Sequence, residues 1–302
     1  MSDNGDLAYL SAGEDQAELE LAWLHLSGKT SRTDIGTAYA LQLSLRPDGE
    51  QLAALVPAAN DKIFVYDFTR RTMTRLTNTP GNDGFPVWSP DGRQILYQND
   101  RDGSQDLYVI PSDGSAPARC ILAGPSDDFP ETWTPDGRRI LLTRNHAQGY
   151  PVIHIMPADG SEDPEPLFET EYASGMPRIS PDGRWLAYVS NFSGEPNVYV
   201  RPFEKPGRPF RVSVDRGFRP QWSPDGKTLY FIANRRMMAA TVETGEALEI
   251  GNPREVFELD ENIFGNLPLA ANGERFLANY ADPQLRTHFG IRVVFDWADR
   301  LR

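Results

Sequence analysis

The sequence predicts an all-β protein, a single β-propeller of four-stranded antiparallel blades, and three observations carry that prediction. A Pro-Asp-Gly tripeptide recurs at Pro47-Asp48-Gly49, Pro90-Asp91-Gly92, Pro135-Asp136-Gly137, Pro181-Asp182-Gly183 and Pro224-Asp225-Gly226. Asn-Gly takes its place at Asn4-Gly5 and Asn272-Gly273, so the anchors fall 43–47 residues apart along the chain. Between anchors the pattern is that of a whole small sheet, too thin to cover both its faces alone. Copies packed face to face around an axis would cover them. A solenoid is the rival architecture, disfavoured because the unit holds two internal hairpins and the ends carry no polar capping repeats.

Each unit begins with strand A, which ends in Trp or an apolar residue two before the proline (Trp88, Trp133, Ile179, Trp222) followed by Ser or Thr. The anchor is then a turn: proline presets φ, Asp tolerates the next position, and Gly takes the positive φ that closes a bulged hairpin. Strand B alternates, as in Gln94-Ile95-Leu96-Tyr97. Strand C is rich in aromatic and β-branched residues, as in Asp106-Leu107-Tyr108-Val109-Ile110 and Val152-Ile153-His154-Ile155-Met156, which reads as strand. A polar turn such as Ser112-Asp113-Gly114-Ser115 leads to a short strand D such as Met73-Thr74-Arg75-Leu76.

Seven anchors predict seven blades. On that count residues 7–10, 18–26 and 30–35 are B, C and D of the first blade, and Ile291-Arg292-Val293-Val294-Phe295 is C of the last. In the alternative, the N-terminal strands complete the last blade as its outer edge and six blades close the ring.

Composition narrows the function. Forty-three acidic against 30 basic residues give a formal charge of −13, which repels nucleic acid and anionic membranes. Cys120 is the single cysteine, so no internal disulfide and no multi-cysteine zinc site can form. The opening MSDNGDLAYL has no basic and apolar leader pattern. The expected compartment is the cytoplasm, or the periplasm if the chain belongs to a longer exported protein.

The run Trp88-Ser89-Pro90-Asp91-Gly92-Arg93, followed by Asn99-Asp100-Arg101-Asp102-Gly103-Ser104-Gln105-Asp106-Leu107-Tyr108, resembles the repeats of TolB-like propellers, and the resemblance spans nearly the whole chain. Ser180-Pro181-Asp182-Gly183-Arg184-Trp185 through Asn191, with Val198-Tyr199-Val200-Arg201-Pro202-Phe203, is similar to the C-terminal propeller region of bacterial proteins with a serine/threonine kinase or DNA-binding head. The resemblance implies a sensor or protein-interaction module, although a propeller fold by itself fixes no activity. Residues 1–302 are expected to form one such domain. Ser2-Asp3-Asn4-Gly5 looks like the end of an A strand, as in a fragment of a longer polypeptide. No kinase signature is present: no His-Arg-Asp, no Asp-Phe-Gly and no Gly-rich loop leading to Val-Ala-Ile-Lys.

Catalytic and metal motifs are likewise missing from the sequence. Of the four histidines, His25, His146, His154 and His288, only His146 and His154 lie close, and their spacing of eight spans a B–C hairpin. No third ligand can be placed, so neither metal nor cofactor is expected. There is no Gly-x-Ser-x-Gly elbow. The acidic loop Asn99 to Asp106 lacks the glycine and closing Glu of a twelve-residue calcium loop, so Asp102-Gly103 is read as a turn and Asp106 as its cap. Trp88, Trp133 and Trp222 recur at one register and are expected to fill the wedges between blades.

A partner surface is expected where the loops vary. The A–B and C–D turns of a propeller share one rim, and they are monotonous here. The D–A and B–C loops ring the other mouth, and they set aromatics beside charges: Asp83 and Phe85, Asp128, Phe129 and Glu131, Tyr172 and Met176, Phe218 and Arg219, and Phe264 from D–A loops, with Arg101, Arg144 and His146 from B–C loops. Aromatic, Met and Arg residues together are the composition of protein-binding hot spots. The expected function is therefore a non-catalytic module that binds a protein, peptide or small ligand at this rim and funnel. The competing reading is a lyase or hydrolase with its active site in the channel mouth, and the bland one is residues that merely plug the channel.

Overall fold

The computed structural model describes residues 7–9, 19–33, 35, 41–57, 59–145, 149–205, 207–244, 248–281 and 292–294. Every regular element among them is a strand. Blade 1 runs Leu41–Leu45, Gln51–Val56, Lys62–Asp67 and Thr72–Arg75, each strand beside the next. Blade 2 is Asp83–Trp88, Gln94–Asn99, Asp106–Pro111 and Arg119–Leu122, and blade 3 is Asp128–Trp133, Arg139–Asn145, Pro151–Pro157 and Glu165–Pro166. Blade 4 is Ser174–Ile179, Trp185–Ser190, Asn197–Pro202 and Phe210–Arg211. Blade 5 is Phe218–Trp222, Thr228–Ala233 and Arg236–Thr244, and both Leu248–Ile250 and Arg254–Glu258 pair with its long third strand.

Blade 6 corrects the predicted count. Its A and B strands, Ile263–Phe264 and Arg275–Ala281, come from the C-terminal end, while its C and D strands are Leu19–His25 and Thr30–Arg32. Six blades therefore close the ring, not seven. Leu19–His25 lies antiparallel to Arg275–Ala281, from Leu19 opposite Ala281 to His25 opposite Arg275. The segment assigned to a B strand of its own blade, Leu7–Tyr9, pairs instead with Arg292–Val294, so neither of these strands belongs to a blade; Ile291 and Phe295 lie outside the described residues. The physical reason is burial on both faces of Leu19–His25. Leu21 and Trp23 enter one core with Leu43, Leu52 and Leu277, and Leu24 enters another with Tyr230, Phe257 and Phe276. Such a strand needs a blade on each side.

Six apolar clusters fill the six wedges, each drawn from two neighbouring blades. The alternation of strand B does this directly: Ile95 and Tyr97 pack toward blade 1 and Leu96 toward blade 3. Trp88, Trp133 and Trp222 are buried in these wedges as the sequence predicts. Each also donates its indole N–H to a carbonyl of the preceding A strand: Ser44 at 2.9 Å, Val87 at 3.3 Å and Arg178 at 3.0 Å.

The anchor turns have one construction. Gly92 has φ +68° and its N–H reaches the Ser89 carbonyl at 2.9 Å. Asp91 accepts from Ser89 Oγ at 2.6 Å and Arg93 N at 3.0 Å, and Ser89 Oγ accepts from Gln94 N at 2.9 Å. The hydroxyls of Ser89, Thr134 and Ser223, ahead of the backbone donors, hold Asp91, Asp136 and Asp225 below the usual carboxylate range. A carboxyl whose folded value is depressed stabilises the fold above its unfolded pKa and loses that contribution as pH falls through the folded one. The thermal midpoint is therefore expected to drop between pH 5 and 3. In a Ser89→Ala/Thr134→Ala/Ser223→Ala variant this acid-dependent part shrinks by about 2–4 °C, as scanning calorimetry across that range would read.

Candidate functional site

The A strands of blades 1 to 5 pack one against the next around the axis, and the residues that follow Ile263–Phe264 close the ring between blades 5 and 1. Side chains tie these strands into a belt about the axis. Gln42 Oε1 accepts from Phe85 N at 2.6 Å, Glu131 Oε1 from Met176 N at 3.3 Å, Gln221 Oε1 from Leu269 N at 2.9 Å and Asn266 Oδ1 from Leu43 N at 2.7 Å. These bonds join blades 1–2, 3–4, 5–6 and 6–1, and the indoles of Trp133 and Trp222 join 2–3 and 4–5.

A bulge recurs at the mouth end of the A strands. Pairing slips between Leu41 and Leu43, Gly84 and Val87, Gly175 and Arg178, and Phe218 and Gln221. Within each slip one residue is left-handed: Gln42 (φ 49°), Phe85 (49°), Met176 (52°) and Arg219 (55°). A left-handed non-glycine residue costs about 1–2 kcal/mol, and bulges re-aim side chains. In blade 3 the slip falls one residue later, at Glu131, between Pro130 and Thr132.

Direct contacts place the D–A and B–C loops on one rim. Asn82 bonds Asp100, Gln105 N bonds Asp127, and Arg216 bonds Glu195.

The predicted rim residues divide into two groups. Phe85 and Met176 are exposed at the bulges, and Phe85 meets the Phe129 ring edge-on at 5.7 Å. Tyr172 packs edge-on against Phe192 at 5.1 Å, and Phe192, which the sequence places on the same rim in the Asn191-Phe192 B–C loop, is 54% exposed. Phe218 and Arg219 are partly buried at the blade 5 bulge. The other group is built into the wall. Asp83 is buried and salt-bridged to Lys62 at 3.3 Å. Asp128 is fully buried in a bidentate pair with Arg144, at 2.6 and 2.8 Å. Arg101 lies over the Tyr108 ring at 3.9 Å and donates to its hydroxyl at 3.0 Å. Glu131 is partly buried and accepts from Thr143 Oγ1 at 2.9 Å. Phe264 is placed by its backbone in the blade 6 A strand, and His146 lies outside the described residues.

Sequence reasoning missed Gln42, Arg178, Gln221 and Asn266. For Arg178 and Gln221 the signal was the preceding proline, in Met176-Pro177 and Arg219-Pro220, which marks the bulge as Pro86 does after Phe85; no such proline flags Gln42 or Asn266. Asp106 accepts from Ser104 Oγ within its own loop at 3.2 Å, but the backbone donor it takes, also at 3.2 Å, is Gly124 N of the D–A connection and not one in the B–C turn. Among the described residues no three His, Cys, Asp or Glu side chains are grouped as a metal site would require, and no helix is long and apolar enough to cross a membrane.

These features define a six-bladed propeller whose axial mouth is ringed by bulged A-strand residues. The profile of the TolB beta propeller domain matches residues 1–172, and the chain belongs to that family. An uncharacterized protein of Agrobacterium fabrum is 30% identical over 162 residues, 49% of this chain and 54% of that one. The uncharacterized peptidase YuxL of Bacillus subtilis is 25% identical over 189 residues, 49% of this chain and 29% of that protein. The matched stretches thus span about half of the first relative and under a third of the second. In structure, the chain is similar to an Agrobacterium tumefaciens protein described as TolB, with TM-score 0.69 and 17% identity over 89% of this chain and 99% of that one. It is also similar to oligogalacturonate lyase from Vibrio parahaemolyticus, with TM-score 0.58 and 11% identity over 89% and 76%. At such identities the likeness concerns the fold.

Proposed function

We propose that this propeller is a non-catalytic binding module that docks a protein or peptide on the rim of D–A and B–C loops, with part of the ligand entering the axial mouth. The supporting observation is the ring of bulges. Backbone strain recurs at one register in four blades, and at two of these positions, Phe85 and Met176, the strained residue is a large apolar one left exposed. Tyr172 and Phe192 extend that apolar surface outward across blade 4. The opposite rim, built of repeated Asp-Gly turns, offers no comparable patch among the described residues. The likeness to kinase- or regulator-associated propellers is part of the same proposal: the module would report to a regulatory head.

A photo-crosslinker at residue 192 is expected to capture a partner in the source cells, whereas one at residue 113, on the turn rim, is not. In the captured complex Phe85→Ser and Met176→Ser each weaken binding by about 30-fold, and the double change by more than either, since a hot-spot side chain contributes about 2 kcal/mol. Capture from residue 113 alone, or unchanged affinity in the folded double variant, contradicts the reading.

A further inference from the structure

We propose that Arg219, with Arg178 beside it, forms a carboxylate-binding subsite in the axial mouth, taking a peptide's chain-end carboxylate or an Asp or Glu side chain. The proposal rests on the mouth being a binding face and adds the chemistry of what enters it.

The two arginines occupy the A strands of neighbouring blades, where Trp222 of blade 5 donates to the Arg178 carbonyl of blade 4. Arg178 is engaged: its guanidinium donates to the Pro177 carbonyl at 2.7 Å and the Glu131 carbonyl at 3.2 Å, and reaches Glu131 Oε2 at 3.4 Å. Glu131 is engaged in turn with Thr143 Oγ1 and Met176 N. Arg219 differs. It is partly buried, and among the described residues its guanidinium has no hydrogen-bond or ion-pair partner. Burial, followed by the nearby Arg178 charge, pushes Arg219 below an arginine's ordinary pKa. It nonetheless stays charged, because arginine does not deprotonate in proteins.

On these two neighbouring A strands, Arg178 and Arg219 thus set two guanidinium groups against the one carboxylate, Glu131, that engages either of them among the described residues. Desolvating a cation without a partner is unfavourable, and a left-handed backbone adds strain at the same residue. At the corresponding bulge of blade 1, Gln42 spends its side chain on the next blade's backbone. Arg219 does nothing of that kind for the fold. Its planar fork of donors matches a carboxylate, and Met176, with the Phe85–Phe129 pair around the ring, supplies apolar wall for the residue that bears it.

The test uses the whole chain and four peptides: acetyl-Phe-Ala-Phe as free acid and as amide, and acetyl-Phe-Asp-Phe-amide with its Asn counterpart. Binding is read from the Arg219 Nε–Hε NMR signal and by calorimetric titration. At least one carboxylate peptide is expected to bind tenfold or more tightly than its neutral counterpart, and the arm that does so identifies the source. Arg219→Gln abolishes that preference while leaving the thermal midpoint unchanged or about 1–3 °C higher. Equal binding of charged and neutral peptides overturns the subsite but leaves the mouth as a docking face. No shift of the Arg219 signal with any peptide overturns it as well, and crosslinking from residue 192 then decides the wider reading separately. A fall of more than about 5 °C in Arg219→Gln assigns this side chain to packing and also overturns the proposal.

Discussion

Replacing Lys62 by Met is expected to destabilise the propeller by about 3–5 kcal/mol, the largest loss from any single side chain considered. Lys62 and Asp83 are both buried, with nitrogen and oxygen 3.3 Å apart. Lys62 also donates to the carbonyls of Asp61 and Gly81. Asp83 further accepts from Thr77 Oγ1 at 2.5 Å and Asn99 Nδ2 at 2.7 Å, and Thr77 Oγ1 takes the Ile63 N–H at 3.0 Å. The network thus links strand C of blade 1, the D–A connection, and strands A and B of blade 2. Burial already raises the Asp83 pKa against the pull of Thr77, Asn99 and Lys62. Without the lysine that carboxyl is left desolvated and uncompensated. A carboxyl with a raised folded pKa binds more protons in the native state, so the variant gains stability relative to wild type as pH falls from 7 towards 5. Urea unfolding at both pH values reads this sign. Lys62→Met/Asp83→Asn is expected to lose less than the sum of its single changes, because no charge is then stranded.

Deleting residues 1–33 is expected to abolish cooperative unfolding. It removes strands C and D of blade 6 and uncovers the two wedges on either side. Leu21, Trp23 and Leu24 each bury a side chain worth about 1.5–3 kcal/mol, and Leu43, Leu52, Leu277, Phe276 and Phe257 lose their cover. That sum exceeds the usual stability of about 5–15 kcal/mol once the partner faces are included. The deletion should bind a hydrophobic dye and unfold over a broad range. Deleting residues 1–10 alone removes Leu7–Tyr9, whose pairing with Arg292–Val294 lies outside the blades, and is expected to leave a single sharp transition.

The fold was readable because the anchor turns are chemically local. Ser or Thr, Pro, Asp and Gly build the hairpin within six residues, so each copy announces itself. Blade number was not readable in the same way. Asn4-Gly5 has the turn chemistry of an anchor, but which strand Leu19–His25 pairs with is decided by contacts some 250 residues away in sequence, at Phe276 and Leu277. The rim divided for a similar reason. Alternation of aromatic and charged residues locates the loops, yet Asp83 and Asp128 differ from Arg219 only in having a partner across the sheet or the wedge. Lys62 stands 21 residues before Asp83 and Arg144 16 after Asp128, and no local pattern names either pairing. The bulge was marked all along by the prolines after Phe85, Met176 and Arg219, but its left-handed φ emerges only from strand register.

The claim on which the rest stands is that the two ends of the chain share one blade. In a Cys120→Ser background, cysteines at positions 20 and 280 test it directly. Glu20 and Tyr280 are paired across the sheet and both are partly buried, and paired positions sit at Cα distances that a disulfide spans. Mild oxidation is predicted to close an intrachain disulfide in the folded monomer and raise its thermal midpoint. A disulfide that forms instead in a second variant, with cysteines at positions 8 and 20, and none in the 20/280 variant, would restore the seven-blade pairing and contradict the account.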